Sequence, residues 1–160
     1  MIKVAICDDD IQFIYKLEQS IFRFAEMKRI KVDVDGYTSG AEFIQKLQQS
    51  ERYDLLFLDI ELGDSSGIIV GNWIRSQIQY ESMQIVFVSA KEMYAMQLFD
   101  LRPMNFLVKP IQQERVDYIL DEYERLYQFQ PHIIEIGKGR NAIRIEEHSV
   151  FYLQSLARKI

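Results

Sequence analysis

The sequence predicts an α/β fold: a five-stranded, doubly wound parallel sheet followed by a short β-hairpin-rich C-terminal segment. Three observations carry this. Short apolar runs alternate with helix-period amphipathic stretches through residues 1–127. The runs LLFLD (55–59) and QIVFVS (84–89) are apolar almost throughout, as strands covered on both faces are. After QFQP (128–131) the alternation stops, and short strands follow with no helix between them.

The elements follow in order. KVAIC (3–7) is a buried strand, and Ile14, Leu17, Ile21 and Phe24 then mark one face of a helix over 11–27. IKVDVDGY (30–37) alternates apolar and acidic residues and reads as a more exposed strand. Ser39-Gly40-Ala41-Glu42 fits a capping box, with Phe43, Ile44 and Leu47 continuing the helix behind it. LLFLD is the central strand. GDSSG (63–67) is a loop, and Ile69, Val70, Trp73 and Ile74 open the next helix. QIVFVS is the fourth strand. A short helix is expected over 91–99, in which Met93 and Met96 read as packing residues. NFLVKP (105–110) is a fifth strand ending at a proline, and Val116, Ile119, Leu120 and Tyr123 form one face of a last helix over 112–127.

These elements make a domain of residues 1–127, a linker at 128–131 and a β segment at 132–160. HIIEI, a GKGRN turn, AIRI and VFYLQS supply three short strands there. A piece this short falls below the roughly 40 residues at which a domain folds unaided.

Composition narrows the function classes. The 160 residues are 48% apolar with a net charge of −5, which suits a soluble protein. No apolar run approaches the roughly 20 residues of a membrane helix. The N-terminus turns acidic at Asp8, too early for a signal peptide. A cytoplasmic location with no membrane association is therefore expected. Cys7 is the single cysteine, which excludes a disulfide framework and reads as a small core residue. His132 and His148 lack metal-ligand spacing. Residues 1–127 carry a net −7 and residues 128–160 a net +2, too little to establish nucleic-acid binding.

In an open α/β sheet, ligands bind at the carboxyl ends of the strands. Strand one ends in Asp8, Asp9 and Asp10, strand three in Asp59, strand four in Ser89, and strand five in Lys109 before Pro110. Two like charges about 4 Å apart repel by about 4 kcal/mol at an effective dielectric near 20, so converging carboxylates need a cation. Oxygen ligands with no nearby histidine favour Mg²⁺. A carboxylate can attack phosphorus to form an acyl phosphate, and a metal and an ammonium group can neutralise the charge on the phosphoryl oxygens. On this reading Asp59, on the central strand, is the nucleophile. Asp8 and Asp9 hold the metal with the backbone carbonyl of Glu61, Lys109 is the fixed counter-charge, and Ser89 donates a hydrogen bond to a phosphoryl oxygen. Asp10 caps the following helix. Each residue alone has a plainer reading, as a helix cap for Asp8, Asp9 or Ser89 and a solvated lysine for Lys109. It is their shared register that favours the site.

With these residues in place, the chain resembles a response-regulator receiver domain. The matching stretches are the acidic pair in ICDDD, FLDI around Asp59, VSA around Ser89 and FLVKP around Lys109, in the family's order over residues 1–127. The resemblance implies a flavodoxin-like receiver, a two-component signalling protein whose Asp59 takes phosphate from a sensor histidine kinase with Mg²⁺. It implies self-phosphorylation and slow autodephosphorylation, a switch rather than a turnover enzyme. It also implies a cis Lys109–Pro110 bond aiming the lysine at the site, and a switch in which Ser89 moves toward the phosphate and the aromatic at 106 rotates inward. Position 106 is Phe106, where tyrosine is frequent in the family, so any signal carried by the hydroxyl is lost.

The loop ELGDSSG (61–67) lacks the proline common in many receivers and is similar to loops in receivers joined to LytTR-type DNA-binding domains, as in LytR- and AgrA-like regulators. The tail IIEIGKGRNAIRIEEHSVFYLQSLARKI resembles the first strands of such a domain. The chain is then either a truncated or a natural short form of a transcription regulator. In a complete domain Lys138 and Arg140 would contact DNA phosphates; here they read as a polar hairpin tip, and DNA binding is expected to be weak or absent. A homodimer through the last two helices and strands stays open. Two rival readings stand beside this one. The first is a Mg²⁺-dependent phosphohydrolase of the haloacid-dehalogenase type, whose DxDx[TV] pattern DDDIQ fails at its fifth residue. The second is a receiver-only regulator acting through protein contacts.

Overall fold

The computed structural model describes residues 1–77, 82–128, 133–136 and 143–146. Five strands form one parallel sheet: β1 (Ile2–Cys7), β2 (Val32–Tyr37), β3 (Leu55–Asp59), β4 (Gln84–Ser89) and β5 (Asn105–Val108), in the order β2-β1-β3-β4-β5. The order reverses at β1, so the crevice beyond the carboxyl ends of β1 and β3 is the topological switch point. The α/β class and the five-stranded parallel sheet are as the sequence predicts.

Pleating sends alternate side chains to opposite faces. On one face Ala5, Cys7, Leu56, Leu58, Ile85 and Phe87 join a buried cluster with Phe43 and Leu47 of α2 (Gly40–Gln48) and with Val70 and Ile74 of α3 (Gly67–Ser76). Helix α1 (Ile11–Lys28) buries Ile14, Leu17, Ile21 and Phe24. Helix α4 (Gln113–Tyr123) buries Val116, Ile119 and Leu120 and is tied to α1 where Gln113 Nε2 donates to the Ser20 carbonyl at 3.0 Å. β2, the alternating stretch, is an edge strand with Asp33 exposed.

Helix starts follow local chemistry. Asp10 accepts from the N–H groups of Gln12 and Phe13, and Ser39 from that of Glu42, so both serve as N-caps. Helix α3 starts at Gly67, two residues before the apolar run suggests, because the Ser66 hydroxyl caps it. The short helix expected at 91–99 is a 3₁₀ segment, Glu92–Leu101, closed by Arg102 in the left-handed region just before Pro103. Met93 is 71% exposed there and is not a packing residue. The side chain of Met96 lies outside the described residues. The helix expected over 112–127 ends as α-helix at Tyr123 and continues as a π turn, Glu124–Gln128.

The chain divides into two compact units, Met1–Leu120 and Asp121–Ile160. In the second, β6 (Ile133–Ile136) and β7 (Ile143–Glu146) pair antiparallel, Ile136 opposite Ile143. The expected third strand at 150–155, most of the 128–131 linker, and His132, Lys138, Arg140 and His148 lie outside the described residues. Among the described residues no helix is long and apolar enough to cross a membrane.

Candidate functional site

Parallel strands deliver their last residues to one edge, and here that edge is acidic. Asp8 follows β1, Asp59 ends β3, and together with Asp9 they bring one carboxylate oxygen each to within 4.8 Å of one another. Asp8 and Asp59 are buried and Asp9 is exposed. From β5, the Lys109 ammonium reaches across to Asp8 Oδ2 at 2.6 Å and Asp59 Oδ1 at 3.3 Å. The Lys109–Pro110 peptide is cis. The backbone N–H of Asp10 also donates to Asp8 Oδ1, at 3.0 Å.

The electrostatics follow from burial. Desolvation pushes the Asp8 carboxyl above the usual carboxylate range, against the hydrogen bonds from Lys109 and from the Asp10 N–H. Desolvation and then the neighbouring charge of Asp8 do the same to Asp59, while Lys109 opposes them. Burial pulls the Lys109 ammonium down, but its hydrogen bond to Asp8 and the charges of Asp59 and Asp8 outweigh this and raise it. The site therefore holds more buried negative charge than one lysine relieves.

That charge fits Mg²⁺. The donors are all carboxylate oxygens, the hard ligands Mg²⁺ prefers. Asp8, Asp9 and Asp59 stand close enough together that they could share one cation. Glu61, proposed to contribute its carbonyl, lies two residues past Asp59 in the β3–α3 loop, where it bridges to Ser66.

Ser89 lies one step beyond Val88, which pairs with Asp59. It is fully buried, and its hydroxyl oxygen accepts from the Lys91 N–H at 3.0 Å, the local capping role expected of a lone serine; its own proton remains to donate. Phe106 pairs with Phe87 in the sheet and packs half-buried against the α2–α3 core. The structure thus brings together Asp8, Asp9, Asp59 and Lys109, sets Ser89 on the adjacent strand end, and keeps Phe106 against the core.

Four further features do not show in the sequence pattern. The Lys109 ammonium stands 4.2 Å over the Phe13 ring. A Cβ at Gly67 would meet the Asp59 carbonyl oxygen at 2.0 Å, so the backbone behind Asp59 admits only glycine there. Asp64 accepts from the N–H groups of Gly40 and Ala41, fastening the proline-free loop to the start of α2. Glu61 pairs with Lys91. The SSG sequence before an apolar helix could have signalled Gly67; the others need long-range geometry.

Comparisons with known proteins agree with this geometry. The family model described as response regulator receiver domain matches residues 4–121. Sensory transduction protein LytT of Bacillus cereus is 29% identical over 151 residues, covering 94% of this chain and 58% of that protein. Transcriptional regulatory protein YpdB of Escherichia coli is 28% identical over 128 residues, covering 80% of this chain and 50% of its own length. The chain thus spans little more than half the length of these curated relatives. The response regulatory domain of protein mrkE from Klebsiella pneumoniae superposes with a TM-score of 0.68 at 24% identity, covering 80% of this chain and 99% of that one. Response regulator TrrA from Thermotoga maritima, solved in complex with Mg²⁺–BeF, does so at 0.62 and 23% identity, covering 77% and 99%. At these identities the two structures speak for the fold.

Proposed function

The chain belongs to the response regulator receiver domain family, and from that premise we propose that Asp59 is its phosphoryl acceptor. This membership replaces the phosphohydrolase reading. The observation that carries the proposal is the placement of Asp59: it ends the central strand within 4.8 Å of Asp8 and Asp9 and 3.3 Å from the Lys109 ammonium.

The donor is phosphohistidine on a sensor kinase. An Asp59 carboxylate oxygen attacks phosphorus, the oxygen–phosphorus bond forms as the nitrogen–phosphorus bond breaks, and the imidazole leaves with a proton from water. Lys109 keeps Asp59 ionised for attack and then faces the new acyl phosphate. Ser89 donates its hydroxyl proton to a phosphoryl oxygen. Asp8, Asp9, Asp59 and the Glu61 carbonyl would hold Mg²⁺, which would supply positive charge against the phosphoryl oxygens. The chain is a switch limited to self-phosphorylation and autodephosphorylation.

The phosphoryl group adds about −1.5 to −2 charges. Movement of Ser89 toward it, with rotation of the Phe106 ring, would carry the signal. Moving the equilibrium from 1:99 to 99:1 takes about 5.5 kcal/mol of differential stabilisation.

Residues 1–127 act as the receiver body, 128–131 as the linker and 132–160 as the opening strands of a LytTR-type output domain. The relatives named LytT and the antiparallel β6–β7 pair support this. In that full-length setting the output binds DNA, with Lys138 and Arg140 against phosphates, and phosphorylation favours a homodimer. The working compartment is the cytoplasm, where a kinase domain supplies phosphate. The acceptor role is tested by incubating the protein with acetyl phosphate, with and without Mg²⁺. A Mg²⁺-dependent, acid-labile phosphoprotein supports it, and no labelling overturns it.

A further inference from the structure

The ammonium of Lys109 has three N–H donors. Asp8 Oδ2 lies 2.6 Å from it and Asp59 Oδ1 3.3 Å, so two of those protons have carboxylates to meet. The centre of the Phe13 ring stands 4.2 Å from the same nitrogen, well inside the roughly 6 Å reach of a cation over an aromatic face. A closed circuit of contacts holds this ring. The Phe13 N–H donates to Asp10 Oδ1 at 3.3 Å, the Asp10 N–H donates to Asp8 Oδ1 at 3.0 Å, and the Lys109 ammonium donates back to Asp8 Oδ2. At the other end of the lysine, the Lys109 backbone N–H donates to the Ser89 carbonyl at 2.8 Å. The stem between is flexible, so the anchored backbone alone does not decide where the ammonium rests.

Phe13 has a plainer reading as a packing residue of the first turn of α1. It is only half-buried, however, and with Leu17, Pro110, Ile111 and Val116 it borders a cavity of about 170 Å³. That space would let the ring turn away, so packing alone does not fix it over Lys109. Its chemistry suits the site. A third carboxylate there would add to the buried negative charge and compete with a phosphoryl group for the lysine. A ring face attracts the ammonium, carries no net charge and excludes water from that side. We propose that Phe13 is a positioning residue for phosphoryl transfer: its ring is the third neighbour of the Lys109 ammonium and holds it between Asp8 and Asp59. The inference rests on the acceptor role proposed for Asp59.

Fluorine on the ring weakens its negative face and leaves its shape nearly unchanged. The full chain is made with Phe13 replaced site-specifically by 4-fluoro-, 3,5-difluoro- and 3,4,5-trifluorophenylalanine. Labelling by acetyl phosphate with Mg²⁺ is then followed by intact-protein mass spectrometry. The labelling rate should fall stepwise with each added fluorine, toward the loss in Phe13→Leu, roughly three- to ten-fold. Fluorinated rings keep the apolar contacts of Phe13, so a packing role would leave the rates level. A second measurement needs no phosphate. In urea unfolding with chelator, Phe13→Leu should lower the folding equilibrium constant roughly three- to ten-fold more when Lys109 is present than in a Lys109→Met background. Level rates across the fluorine series, or equal losses with and without Lys109, overturn the inference. If the wild-type protein takes no phosphate while the unfolding cycle shows the coupling, the acceptor reading fails instead.

Discussion

Replacing Lys109 by methionine removes the ammonium that touches both buried carboxylates while keeping an apolar chain against Phe13. In the native protein that ammonium stands 2.6 Å from Asp8 and 3.3 Å from Asp59, and Asp8 is only 1% exposed. Breaking a buried ion pair by deleting one partner costs about 3–5 kcal/mol. Asp8 keeps the Asp10 N–H at 3.0 Å, so the low end applies, about 3 kcal/mol. For a chain of this size that is a fall of about 6–12 °C in Tm. The assay is urea and thermal unfolding in chelator, repeated across pH. Without the lysine both carboxyls rise further, so the variant's native state binds protons more readily than its unfolded state. Its deficit should be full at pH 7 and shrink as pH falls through the native-state values. Mg²⁺ at about a hundred times its Kd should return about 2.7 kcal/mol. A deficit under about 1 kcal/mol, or one unchanged between pH 7 and pH 5, would refute the electrostatic reasoning.

Asp59→Asn should be more stable than the wild type in chelator, because burial and Asp8 hold the Asp59 carboxyl above its unfolded value. The gain, measured by urea unfolding, should disappear as pH falls and the wild-type carboxyl protonates. Gly67→Ala forces a Cβ to within 2.0 Å of the Asp59 carbonyl oxygen and should cost about 3 kcal/mol, with weakened Mg²⁺ binding in a fluorescence titration. Tyr53→Phe removes the 2.7 Å hydrogen bond to Asp35 and the partner of the buried Tyr37 hydroxyl. It should cost about 1–2 kcal/mol in unfolding and leave Mg²⁺ affinity unchanged.

The sheet was legible because its strands end in chemistry. Apolar runs that stop at Asp8, Asp59, Ser89 and Lys109 give both the fold and the edge to inspect, and Asp10 and Ser39 announce their helices by capping chemistry. What stayed hidden depends on residues far apart in the chain. Nothing local marks Lys91 as the partner of Glu61, 30 residues away, or Asp64 as the fastening of α2. The 3₁₀ segment escaped because apolar periodicity does not separate i+3 from i+4 bonding over so few residues. Met93 failed for the same reason: a slightly tighter winding turns a residue expected in the core out to solvent.

The central claim is that Asp59 takes the phosphate. Labelling with acetyl phosphate and Mg²⁺, trapping the acyl phosphate by reduction and mapping it by mass spectrometry tests it most directly. The account predicts a label on Asp59 that Asp59→Asn abolishes; a label on Asp8 or Asp10, or one that persists in the variant, would contradict it.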